Sequence, residues 1–199
     1  MLPMTLWCLA HSREWEQVFR RIVANCYNVN GTFEYRMDKL LHVAAEQGNV
    51  AAGKKLLEMG ADPHARQFPQ MDGWTAMQMA AWCGHADFCA ALPSTCIAQS
   101  TVGGYTALHF ACQMHRAETN KKQAERCRLI CWLLAQPECD PNANADRQKL
   151  PYRTWRKCVA NGYIAEDNVV CVEAAFEWAK GGRRRWTAAR AAWMVACCV

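Results

Sequence analysis

The chain has 199 residues, room for one ordinary domain and an appendage, and its composition (52% apolar, 21% charged) excludes a disordered polymer. No stretch approaches the ~18 consecutive apolar residues that a membrane span needs. The net charge of +5 is mild and collects late: residues 151–199 hold 8 Lys/Arg against 4 Asp/Glu, a bias usually explained by solvated surface.

Read in chain order, one unit recurs. "TLWCLAHSREW" from Thr5 predicts a short helix, and Val18, Phe19, Ile22 and Val23 predict a second at helical spacing. "KLLHVAAEQGN" (Lys39 to Asn49) follows at an offset of 34, and "TAMQMAAWCGH" (Thr75 to His85) at a further 36. "TALHFACQMHR" from Thr106 is the last clear copy, with Leu129, Ile130, Leu133 and Leu134 on its second helix. Asn28-Val29-Asn30, Asp62-Pro63-His64 and Asp140-Pro141-Asn142 close three of the units. A starting Thr can cap the first helix, the paired alanines permit close approach, and Gly48 or Gly84 permits a left-handed turn. Such a unit buries its apolar face only against a neighbour, so the copies must stack. The expected core is Leu41, Ala44, Leu56, Leu57, Met77, Ala80, Leu92, Leu108, Ala111, Leu133 and Leu134.

Between Met114 and Leu129 the polar run "HRAETNKKQAERCR" is an insertion that lengthens a loop or the second helix. After Asn142 the pattern fades. Trp155 and Gly162 fall in the leucine and glycine slots of a degenerate capping repeat. Val169, Val172, Phe176 and Ala179 share a face of one more helix, Gly181-Gly182 stops it, and "RRRWTAARAAWMVACCV" suggests a final one.

The T-x-L-H-x-A pattern, the helix-ending glycine and the closing Asp-Pro-Asn, at a period near 33, resemble ankyrin repeats. The family's proline is replaced by Leu6, Leu40, Ala76 and Ala107, and its histidine by Cys8 and Gln78 in two copies. The resemblance implies an all-α solenoid of stacked helix-turn-helix units over residues 5–145, with repeats starting near 5, 39, 75 and 106. A helical extension, 146–199, follows.

It also implies a non-catalytic scaffold or adaptor that binds another protein through the repeat loops and concave surface. Family members use the loops before each Thr and the ends of the first helices. In this sequence those loops hold Tyr35, Arg36 and Asp38, then Met71, Asp72 and Trp74, then Val102 and Tyr105. The helix ends are Glu46 and Gln47, Trp82 and Cys83, Gln113 and Met114. Trp74, Trp82 and Tyr105 are the expected anchors, with Tyr35 and Arg36 at their edge.

Other chemistry is weakly signalled. Cys83, His85 and Cys89 lie within seven residues, but C-x-H-x3-C is no usual zinc spacing, and Gly84-His85 is the repeat's own turn. Cys127 and Cys131, one turn apart, read as an ordinary helix surface. His42 and His109 have a structural reading, hydrogen bonding between neighbouring turns. No P-loop, dinucleotide fingerprint, G-x-S-x-G or H-E-x-x-H occurs, so no catalytic residue, cofactor or metal is expected. A nucleic-acid partner is not expected either.

A competing reading is a membrane-associated adaptor held by Arg183-Arg184-Arg185 and Cys197-Cys198-Val199, though the Cys position does not fit a C-a-a-X box. Thirteen cysteines form no regular framework, and the opening "MLPMTLWCLAHSR" lacks the basic start of a secretory signal. The expected location is intracellular, cytoplasmic or nuclear, with reduced thiols.

Overall fold

In the computed structural model, residues 2–33, 39–67, 73–113, 119–146, 149–164 and 166–181 are described. They form ten α-helices and no extended strand, only isolated bridges between loop residues such as Arg66 and Thr75. The helices come in pairs: α1 (Met4–His11) with α2 (Trp15–Ala24), α3 (Leu40–Gln47) with α4 (Val50–Glu58), and α5 (Ala76–Cys83) with α6 (Ala86–Ala91). Then come α7 (Ala107–Ala111) with α8 (Asn120–Ala135), and α9 (Pro151–Ala160) before α10 (Glu166–Lys180).

The first helices stack on one another from α1 through α3, α5 and α7 to α9, while α4, α6, α8 and α10 stack alongside. Fully buried alanines let them do so. Ala44, Ala45, Ala80, Ala81, Ala107 and Ala111 are all inaccessible, so helix backbones approach closely where larger side chains would hold them apart. The C-terminal pair continues the pattern: Trp155 on α9 and Val172 and Phe176 on α10 are fully buried.

Each turn has a local cause. Gly48 and Gly84 end α3 and α5 at φ 65° and 81°, where a side chain would be strained, and Asn49 and His85 N–H reach back to the Ala44 and Ala80 carbonyls. Thr75 caps α5 in a reciprocal pair with Gln78: the Gln78 N–H donates to Thr75 Oγ1 at 3.3 Å, the Thr75 N–H to Gln78 Oε1 at 2.9 Å. Asn28, Asp62 and Asp140 each accept the backbone N–H two residues on, at 2.9 Å. That local turn is why an Asn or Asp recurs there.

Neighbouring units are tied by one recurring bond. His42 Nε2–H donates to the Trp74 carbonyl at 3.0 Å, and His109 Nε2–H to the Lys149 carbonyl at 2.9 Å. Gln78 fills the same slot, donating to the Gln99 and Tyr105 carbonyls. The histidine's replacement by glutamine thus keeps the tie. Burial pushes the His42 imidazole down to about 4, against the carbonyl bond that favours its charged form.

The unfolded histidine takes its proton near 6.5, so between pH 6.5 and about 4 the unfolded chain binds more protons. This contribution to stability is complete above pH 6.5 and is lost as the pH falls towards 4, ~2 kcal/mol by pH 5. A melting series from pH 7.5 to 5 should therefore slope downward, and His42→Gln should flatten it. An unchanged slope in that variant would contradict the assignment.

Several expectations are corrected. Thr5 does not cap: α1 already begins at Met4 behind Pro3, whose fixed φ suits a helix start. The left-handed turn after α1 falls on Arg13, φ 64°, rather than on a glycine. Every expected core residue is buried except Leu57, which lies half-buried against the core from the outer side of α4. Cys127 and Cys131 are core rather than surface, at 1% and 4% exposure, because α8 is packed by both α6 and α10. Buried thiols here act as small apolar groups. The polar insertion does lengthen the second helix, and α8 starts at Asn120, capped by Thr119.

Candidate functional site

Three of the expected surface residues converge. Trp74 precedes α5, Trp82 lies in its last turn, and Tyr105 sits in the loop before α7. The Trp74 and Trp82 rings meet edge-on at 5.7 Å, and both lean on Phe110, at 4.4 and 6.2 Å. Tyr105 reaches the same ring at 6.0 Å. Phe110 is buried, while the other three are half-buried. The two tryptophans therefore neither stand free in water nor fold over their own loop, since they lean on Phe110 of the next unit, whereas Tyr105 packs on His109 and Phe110 of its own unit. Such ring pairs contribute ~0.5–1.5 kcal/mol each, and rings fixed in advance lose little rotamer freedom when a ligand covers them.

Sequence reasoning missed Phe110. It occupies the variable slot of T-x-L-H-x-A, filled by Val43 and Met79 in earlier copies. The signal was there, since the largest side chain in that slot lies next to the clustered aromatics.

Arg126 was missed too, hidden in the polar insertion. Its side chain is buried, and its guanidinium donates to the Ala81, Trp82 and Phe110 carbonyls at 3.1, 2.9 and 3.5 Å. One cation thus joins the C-terminal end of α5 to α7 through the backbones that carry two of the aromatics. A cation suits that place, where unpaired carbonyls concentrate partial negative charge. Extending the apolar row of Leu133 and Ile130 back one turn lands on Arg126, so the position was legible even though its role was not.

The remaining expected residues divide. Gln113 is exposed at the end of α7, and Val102 is a lone exposed loop tip. Gln47 is taken up internally: Trp15 Nε1–H donates to its Oε1 at 3.0 Å, and its amide donates to the Ala10 carbonyl at 2.7 Å. Its role is to hold the first pair onto the second, which is a correction. Glu46 is exposed, and its carbonyl accepts from His85 Nε2 at 3.0 Å. Tyr35, Arg36, Asp38, Met71, Asp72 and Met114 lie outside the described residues.

Beside Tyr105 a cleft of about 390 Å³ opens, lined by Tyr105, His109, Gln113, Lys149, Arg153, Thr154 and Lys157. Lys149 Nζ donates to the Tyr105 hydroxyl at 2.8 Å. Burial lowers the His109 pKa, so its ring is a neutral hydrogen-bonding group at the cleft floor.

The cysteine–histidine groupings are structural. Cys89 is buried on the inner face of α6 with its thiol toward the Met77 carbonyl, 3.9 Å away, and His85 is engaged with Glu46. Burial, with Glu46 nearby, pushes the half-buried Cys83 thiol up to about 11. Cys96 Sγ lies 3.8 Å from His64 Nδ1, but burial and Asp62 push that thiol up to about 11 as well, so the pair holds no ready thiolate at neutral pH. Among the described residues no three His, Cys, Asp or Glu side chains are placed to hold a metal ion.

No described helix is long and apolar enough to cross a membrane. The tail invoked for a tether, Arg183 to Arg185 and Cys197 to Val199, lies outside the described residues.

A family model for ankyrin repeats, three copies, matches residues 41–145, just over half of the chain. A search of curated proteins finds no match.

Proposed function

Because the chain belongs to the ankyrin-repeat family, we propose that it is a non-catalytic scaffold or adaptor whose protein partner docks on Trp74, Trp82 and Tyr105. Repeats of this family generally mediate protein–protein interaction and are typically non-catalytic. The observation that supports this surface is the meeting of aromatics from adjacent units around Phe110, on the side of the first helices. Large rings held in place and partly open to solvent are the residues that dominate interface energetics. In this reading Tyr35, Arg36, Met71, Gln113 and Met114 also take part in binding the partner. The array runs from about residue 5 to 145, and 146–199 serves as a degenerate capping repeat with further helix.

Affinity capture with the intact chain, followed by titration of the captured protein, tests the assignment. Trp74→Ala and Trp82→Ala should each weaken binding by ~2 kcal/mol or more, roughly thirtyfold, while the helical circular dichroism signal persists. Full affinity in both variants, with binding abolished by deleting residues 182–199, would place the surface in the tail instead.

A further inference from the structure

The cleft beside Tyr105 bears charge of one sign. Lys149, Arg153 and Lys157 line it, and no carboxylate is among its described lining residues. All three cations are exposed and fall four residues apart, the last two one turn apart on α9. Like charges at that spacing repel, which opposes helix formation, and here the repulsion stands along a concave wall instead of being dispersed over the surface. Arg156, on the same helix, points elsewhere: it pairs with Glu173 at 2.6 Å. Among the described residues the cleft cations carry no such ion pair; Lys149 instead donates to the Tyr105 hydroxyl and lies 5.3 Å from that ring's centre. Tyr105 therefore belongs to both the cleft and the aromatic cluster, so one ligand can engage both.

We propose that the cleft receives acidic side chains of a peptide segment whose apolar residue rests on Trp74 and Trp82. The inference deepens the scaffold reading and rests on it for the identity of the surface. Arg153 and Lys157, one turn apart on α9, are ~6 Å apart along its axis, close to the ~7 Å between alternate side chains of an extended chain, and Lys149 stands just before the helix to meet a further carboxylate. Gln113 and Thr154 add neutral hydrogen-bonding groups for the peptide backbone. A nucleic acid would call for a basic groove tracking a longer backbone, and a lipid surface for a flatter basic face. The short, open cleft favours a peptide.

The probe is a fluorescein-labelled peptide of six glutamates and one tryptophan, titrated into the full chain by anisotropy at 50 and 300 mM salt. Saturable binding that weakens at the higher salt is expected. Arg153→Glu and Lys157→Glu should each weaken it at least tenfold, and Arg20→Glu, on α2 far along the chain, should leave it within twofold. No binding, or equal loss in all three variants, would overturn the proposal. So would tighter binding of a single-stranded oligonucleotide or of phosphatidylserine vesicles, lost in the same cleft variants. The captured partner separates the two readings. If Trp82→Ala weakens capture and Arg153→Glu does not, the acidic-segment proposal fails and the scaffold surface stands. If Arg153→Glu weakens both while the tryptophan variants weaken neither, the aromatic surface fails.

Discussion

Replacing Leu108 with alanine should lower the melting temperature by roughly 6–16 °C, the equivalent of about 3–4 kcal/mol in a chain of this length. Leu108 is 1% exposed on α7, the helix that lies between α5 and α9. Truncation removes three carbons from contact on both sides and leaves a cavity that stacked helices can only partly close. Because each unit of a solenoid depends on its immediate neighbours, damage to an interior unit weakens two interfaces. Leu57→Ala is the internal comparison: that side chain is half-buried, and its loss should cost ~1 kcal/mol. Equal effects of the two substitutions in a thermal melt would contradict the stacking described here.

Arg126→Met should destabilise by ~2–4 kcal/mol, a drop of roughly 4–16 °C. Methionine keeps much of the volume but has no N–H, so the Ala81, Trp82 and Phe110 carbonyls each lose a charged donor inside the protein. The Ala81 and Phe110 carbonyls keep a backbone donor, from the Gly84 and Gln113 N–H at 3.2 Å, so the cost falls on the three lost charge-assisted bonds rather than on three bare acceptors. Arg126→Lys should recover only part of this, because an ammonium cannot reproduce the planar fork that reaches adjacent carbonyls on α5. Tryptophan emission should shift as well, since Trp82 and Phe110 lose their common anchor. A methionine variant as stable as the parent would show that the arginine merely fills space.

What could be read from the sequence is whatever depends on local spacing. The paired alanines, Gly48 and Gly84, Thr75 with Gln78, and the Asn and Asp of the closing turns act within a few residues, so their pattern is visible along the chain. The convergence of Trp74, Trp82 and Tyr105 was also legible, because a fixed period places equivalent positions side by side. The basic cleft and the role of Arg126 were not, since each arises where the repeat departs from its period. Lys149, Arg153 and Lys157 come from the region where the pattern fades, and Arg126 from the insertion. Gln47 shows the opposite failure. It occupies a position that the resemblance leaves free for ligands, yet in this chain it holds the first helix pair, whose turn lacks the glycine found in later copies.

Hydrogen–deuterium exchange of the chain, alone and saturated with its captured partner, tests the binding surface most directly. Protection should rise at residues 99–106 and 111–113 and at the end of α5, 81–84, where the aromatics and the cleft lie together. The outer helices α4 and α6 should be unchanged. Protection confined to α4 and α6, or to residues beyond 166, with none at 99–113, would contradict the assignment of this face as the partner's seat.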